Sequence, residues 1–264
     1  MSHSLRIKQA IIAFFLIGLF SISFRIHANE RTIFQLKVYT IDTKAQELRL
    51  DSFLKEAFIP AMHRAGISHV GVFKPAIDDP LYGKRLVVLI PFKDIVQFEN
   101  IEQVLRKDDA YQESGADYIN APHDDSPYLR IESILLRAFE DMPAYGIPEF
   151  NTPKSERIYE LRSYQGATEK RYEKKVEMFN KGGEVKLFID LGFQPIFFGE
   201  VISGPAMPNL MYLTTFENKP SQELHWESFQ NSPVWKALKS DPQYENTVSH
   251  IDKYMLVPAE YSDL

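Results

Sequence analysis

The sequence predicts an α+β protein: two tandem β-α-β-β-α-β modules behind a signal peptide. Three observations predict it. A strand-like segment at residue 33 recurs at residue 158, the same order of patterns follows each copy, and the first 28 residues have a composition of their own. The repeat weighs most, because self-similarity at a fixed spacing defines the architecture before any local reading does.

The N-terminal stretch comes first. Arg6 and Lys8 give a positive start, and an apolar run, Ala10 to Phe24, follows before Arg25-Ile26-His27-Ala28. A charged start, a short apolar run and a small residue at the end form the layout of a secretory signal, with cleavage expected after Ala28. The run of 15 residues is short of the ~20 a membrane-spanning helix needs. An uncleaved anchor is the competing reading, and membrane contact is expected only through that segment. The expected location is periplasmic or secreted. The chain has 264 residues, 44% hydrophobic and 25% charged, with no Cys. Disulfides, thiol catalysis and Cys-ligated metals are therefore excluded. Loss of residues 1–28 removes Arg6, Lys8 and Arg25 and no acid, deepening the net charge from −6 to −9. Such a balance, without a basic cluster, argues against nucleic acid as a partner.

In the first module (29–140), Ile33 to Tyr39 alternates and reads as a strand. The segment Ile158 to Tyr164 repeats it at a spacing of 125 residues, Tyr39 matching Tyr164. A helical stretch follows each. Leu50, Phe53, Leu54, Ala57, Phe58, Ala61 and Met62 form one apolar face, which Pro60 is expected to kink or shorten. The second copy carries Tyr172, Val176 and Phe179, breaks at Gly182-Gly183, and resumes at Val185, Phe188 and Ile189. Each module then turns at a Gly into an aromatic strand, Gly66 to Phe73 and Gly192 to Glu200. A third strand follows, Arg85 to Phe92 and Leu210 to Phe216. Second helices are expected near 93–106 and 220–231, and closing strands over Tyr128–Phe139 and Val248–Val257. Residues 141–156 carry Pro143, Pro148 and Pro153 and read as a semi-rigid linker before the second module, 157–264.

This order is the ferredoxin-like split unit, twice. Its helices cover one sheet face and leave the other in need of a partner sheet. Either the two modules pair within the chain and close an α+β barrel, or each pairs with another chain in a homo-oligomer.

The second module holds an unusual set of words: Tyr159-Glu160-Leu161-Arg162-Ser163-Tyr164, Met178-Phe179-Asn180-Lys181-Gly182-Gly183-Glu184, Gln194-Pro195-Ile196-Phe197-Phe198-Gly199-Glu200, Met207-Pro208-Asn209, Trp226-Glu227-Ser228-Phe229 and Pro233-Val234-Trp235-Lys236. In this order they resemble the signature of the NIPSNAP family over about 157–262, with residues 33–140 as a diverged copy lacking the Gly-Gly-Glu, Phe-Phe-Gly-Glu and Met-Pro-Asn words. The resemblance implies a barrel of the dimeric α+β type. Relatives of that type include small monooxygenases, dehydratases, isomerases and haem enzymes, while the family itself has no settled reaction. Some eukaryotic members are mitochondrial and act through protein partners, a setting that the secretory signal departs from. Fold likeness does not license a chemistry.

Candidate site residues come from the second module. Glu160, Arg162 and Tyr164 alternate on one strand and share a face. With Glu200 and Tyr212 they make either a lined cavity between sheet and helices, in which burial raises a carboxylate pKa, or a satisfied buried ion pair. At Asn180-Lys181-Gly182-Gly183-Glu184, two glycines in a helical pattern cost about 1 kcal/mol each, which points to exposed amides that hold an anion or to a simple kink. Catalytic candidates are Glu160, Arg162, Glu184, Glu200 and Tyr212. Ligand-binding candidates are Asn180, Gly182, Gly183, Asn209, Tyr164 and Trp226. Pro208-Asn209 reads equally as turn chemistry, and Trp226 as packing. No metal ligand set is expected, because His63, His69, His123, His225 and His250 show no ligand spacing, and no cofactor is expected. The leading expectation is an exported module that binds a small molecule or a protein partner. A metal-independent, monooxygenase- or isomerase-like enzyme is second and haem binding third.

Overall fold

The computed structural model describes residues 31–264, which form one compact unit. The leader assigned to residues 1–28 lies outside the described residues. From Arg31 onward the chain is α+β, as expected.

Strand β1 (Ile33–Thr40) leads into α1 (Lys44–Phe53), a π turn over Leu54–Phe58 and α2 (Ile59–Arg64). Then come β2 (Gly71–Pro75), β3 (Arg85–Phe92), α3 (Ile95–Arg106), two short helices α4 (Asp109–Ser114) and α5 (Ala116–Ile119), and β4 (Arg130–Ala138). The second half runs β5 (Ile158–Gln165), α6 (Glu169–Phe179), α7 (Glu184–Asp190), β6 (Gln194–Ser203) and β7 (Asn209–Phe216). It ends with α8 (Lys219–Asn231), α9 (Pro233–Lys239) and β8 (His250–Pro258).

The four principal helices start in the same way. Thr43, Asp94, Thr168 and Asn218 each sit in extended backbone, and each side chain accepts a hydrogen bond from the amide three residues on. Such a cap is worth about 1 kcal/mol. The expected kink at Pro60 takes a different form. Pro60 lies inside the continuous helical run 44–64, and the π turn just before it accommodates the bond its missing N–H cannot make. Strand β2 also begins at Gly71 rather than Gly66. Residues 67–70 are held by the C-terminal tail instead, with Val70 N donating to Asp263 Oδ2 at 2.8 Å.

The eight strands close one antiparallel barrel in the order β1-β3-β2-β8-β5-β7-β6-β4. Its seams are β2 with β8, where Phe73 faces Pro258, and β4 with β6, where Arg137 faces Glu200. Strand alternation sends Phe34, Leu36, Leu89, Leu161, Phe197 and Leu213 into the bore, all buried. Full burial of each is worth about 1.5–3 kcal/mol. The outward faces carry the helices. Tyr39, Leu50, Phe58 and Val88 lie in one such core, and Phe179, Phe188, Phe198 and Tyr212 in the other. Residues 141–153 stay irregular but are laced to the barrel, with Gly146 N donating to Ile196 O at 2.9 Å.

Candidate functional site

Alternation on β5 places Glu160, Arg162 and Tyr164 outside the barrel, under the helices of the second half, while Tyr159, Leu161 and Ser163 face the bore. Glu160 is 2% exposed and fully engaged. One oxygen takes Nε of Arg162 at 2.6 Å and its Nη2 at 2.5 Å, and the other takes Gln222 Nε2 at 2.8 Å and Trp226 Nε1 at 2.6 Å. The Arg162 guanidinium lies 3.7 Å from the centre of the Trp226 ring, a desolvated cation–π contact worth about 2 kcal/mol. Its third donor reaches Tyr164 Oη at 3.2 Å, and Tyr164 Oη is 2.9 Å from Tyr212 Oη. Although burial opposes it, the nearby Tyr212, Tyr164 and Glu160 oxygens raise the Arg162 pKa further above its ordinary value. Burial also pushes the Tyr212 hydroxyl well up.

A second buried pair lies alongside. Lys175 on α6 donates to Glu184 Oε2 at 2.8 Å, with the two residues 5% and 2% exposed. Lys175 Nζ also sits 4.7 Å from the Phe179 ring centre and 5.7 Å from those of Tyr164 and Trp235. Burial raises the Glu184 pKa above its ordinary 4.5, against the pull of Lys175 and Arg162. The Gly-Gly turn makes this pair possible. Gly183 at φ +83° turns the chain so that Glu184 opens α7 against α6.

Arg162, Tyr164 and Lys175 form the floor of an open cleft of about 790 Å³. Trp235, Lys239 and Tyr244 line one wall, and Val248, Ile251 and Lys253 the other. The segment Pro233–Tyr244 thus supplies a wall of the site. The indole N–H of Trp235 is enclosed there with no acceptor among the described residues. The floor cations are neutralised by Glu160 and Glu184 but keep spare N–H groups, whereas Lys239 and Lys253 at the rim face the single acid Glu245. Such a surface holds a negative group beside apolar area.

The structure brings Glu160, Arg162, Tyr164, Tyr212, Trp226 and Glu184 together, and it separates the other candidates. Glu200 stands away from the cluster, ion-paired with Arg31 at 3.3 Å. The expected anion-holding amides are occupied: Gly182 N donates to Glu177 O at 2.9 Å and Gly183 N to Asn180 O at 2.8 Å. Asn180 is a brace, accepting from Asp141 N and donating to Val176 O. Asn209 lies on the bore face, hydrogen-bonded to Ser163. Sequence reasoning missed Lys175 and Gln222. Lys175 could have been found, since it lies seven residues past the cap Thr168, where the first module has the buried Leu50 seven past Thr43.

The same register locates the other counterparts in the first module. Strand pairing sets Val88 against Tyr212, and the helix caps Asp94 and Asn218 set Phe98 against Gln222. Tyr111 and Tyr118 from α4 and α5 pack on Phe53 there, Tyr118 stacking at 3.7 Å. The buried ion pairs thus belong to the second half; on the matching strand face the first half keeps Gln35, which donates to Ser133 Oγ at 2.7 Å, and Lys37, whose Nζ lies 5.3 Å from the Phe58 ring centre.

Residues 159–263 match the NIPSNAP family model. Among solved structures, the chain is similar to a provisionally assigned monooxygenase from Lactobacillus acidophilus NCFM, at 13% identity and TM-score 0.58 over 87% of this chain and 94% of that one. It is also similar to one from Fusobacterium nucleatum, at 11% identity and TM-score 0.55 over 86% and 92%. A NIPSNAP family protein from Agrobacterium tumefaciens aligns at 15% identity and TM-score 0.36, over 46% of this chain and 98% of that one. No curated protein matches. At these identities the likeness to solved structures speaks to the fold alone.

Proposed function

We propose that this is an exported NIPSNAP-domain protein, built from two copies of one ferredoxin-like unit, whose second copy binds a small organic anion in the Arg162–Lys175 cleft. One observation carries the reading: a buried charge network with spare donors opens onto a cleft in the second half, while the matching strand face of the first half carries Gln35, Lys37 and Tyr39 without a buried ion pair among the described residues. Burying two ion pairs is costly relative to apolar packing of the same volume, and the first module shows that the fold closes without them. Spare donors on Arg162 and Lys175, with Lys239 and Lys253 above them, fit a carboxylate, sulfonate or phosphate; Met178, Trp235 and Ile251 fit an apolar body. The leader-like residues 1–28 support export.

A catalytic reading has less behind it. Of the five catalytic candidates only Arg162 lines the cleft, and both clustered carboxylates are enclosed by their partners.

Both tryptophans of the chain, Trp226 and Trp235, stand at this site. Intrinsic fluorescence of the full chain, titrated with octanoate and with cyclohexanecarboxylate, is expected to change saturably. Their neutral amides are expected to bind about tenfold more weakly or worse, which corresponds to ~1.4 kcal/mol. Equal responses to the acids and amides, or no response to either, would overturn the proposal.

A further inference from the structure

We infer that the barrel bore is a second, separate binding site, for a small neutral molecule with a flat or alicyclic apolar body and one hydroxyl or carbonyl head. One end of the bore encloses a cavity of about 220 Å³ that no part of the anion cleft shares. It lies where the two halves of the barrel meet, so both modules build it: Leu36, Val38 and Val87 from the first, Leu161, Met211 and Leu256 from the second. These side chains make most of its lining apolar. A dry cavity of roughly 150 Å³ lined in this way holds benzene, so this one takes a body of about ten non-hydrogen atoms.

The head group has a built partner. Ser163 and Asn209 reach the cavity from β5 and β7 and are 5% and 3% exposed. They bond to each other, Ser163 Oγ standing 3.1 Å from Asn209 Oδ1 and 3.0 Å from its Nδ2. An amide carries two N–H donors and two acceptor lone pairs. The pair therefore leaves one donor and one acceptor of Asn209 uncommitted at the edge of an apolar chamber. Unmet polar capacity in such a place is costly, and a single hydroxyl or carbonyl satisfies it.

The entrance supports a neutral guest. Its lining carries one cation, Arg85, against two carboxylates, Glu132 and Asp252, which disfavours an anionic guest. Asp252 is already held by Gln165 at 3.0 Å and His250 at 3.0 Å. Pro205 and Ala206 form a roof. Ala206 sits at φ +58°, a conformation that costs a non-glycine residue about 1–2 kcal/mol.

The test is calorimetric titration of the full chain with 2-naphthol and with naphthalene. Both are expected to bind saturably at one site per chain, 2-naphthol about tenfold tighter through the Asn209 head contact. Val87→Phe, which fills the chamber, is expected to abolish both. Ser163→Ala with Asn209→Ala is expected to remove the preference for 2-naphthol and keep naphthalene binding, which holds the test open should the filling variant fail to fold. Lys239→Ala with Lys253→Ala, which alters the anion cleft, is expected to change neither. Absence of saturable binding to the wild type would overturn the inference. So would binding that survives Val87→Phe in a folded variant, or that is lost with the two lysines. Failure of the anion proposal leaves these outcomes untouched.

Discussion

At the scale of single residues, the contrast between Lys175 and Glu184 carries the sharpest prediction. The fold raises the Glu184 pKa above 4.5 through burial. Its contribution to stability is therefore fully present below pH 4.5 and is lost as pH rises through the folded value. Lys175→Met removes the charge that limits this loss and leaves a buried carboxylate alone. It is expected to cost about 3 kcal/mol at pH 7.5 and clearly less at pH 4, below the ordinary carboxylate value, where Glu184 is protonated. Lys175→Met with Glu184→Gln should recover most of the loss. Urea unfolding at both pH values checks this, and an equal cost at both would refute it. Much of this site was legible in the sequence. The alternation of Glu160, Arg162 and Tyr164 fixed their common face, and Trp226 and Tyr212 joined them. Asn209 was grouped with them although it stands three positions before Tyr212, an odd spacing that places the two on opposite faces of β7. Glu200 does share the outward face but lies too far along β6, a distance that sequence spacing within separate strands does not measure.

Elements come next, and the α6–α7 turn is the informative one. Gly183 adopts φ +83°, and a Cβ there would meet nothing within 4 Å, whereas a Cβ on Gly182 would lie 2.5 Å from the Met178 carbonyl oxygen. Gly183→Ala should therefore cost about 1–2 kcal/mol from backbone conformation alone. Gly182→Ala should cost more, because backbone must move, and it should disturb the Lys175–Glu184 contact just beneath. Thermal unfolding ranks the two; a Gly182→Ala variant as stable as wild type would contradict the assigned packing. The sequence signalled this break clearly, since two glycines interrupt a helical stripe. It did not show whether the amides were free, because the partners Glu177 O and Asn180 O are set by how the turn closes. The short helices α4 and α5 were not foreseen. Their stripe of Tyr111 and Tyr118 gains meaning only against Phe53 and Tyr39, far away in the chain.

For the whole molecule, the barrel order follows from two β-α-β-β-α-β units once each bare sheet face must be covered. Which partner covers it was undecided by sequence, and the β2–β8 and β4–β6 seams answer it within one chain. Each half contributes to the shared bore, so urea unfolding followed by circular dichroism and by tryptophan fluorescence should give one coincident transition. Because both tryptophans lie in the second half, separated transitions would mean that the halves are independent. The central claim is that this barrel carries a working anion site in its second half. Native mass spectrometry of the protein purified from a periplasmic extract, before and after denaturation, tests it most directly. The account predicts a small acidic molecule that is released on denaturation and absent from a folded Lys239→Glu, Lys253→Glu variant. A wild-type mass with no bound species, or a species retained equally by that variant, would contradict it.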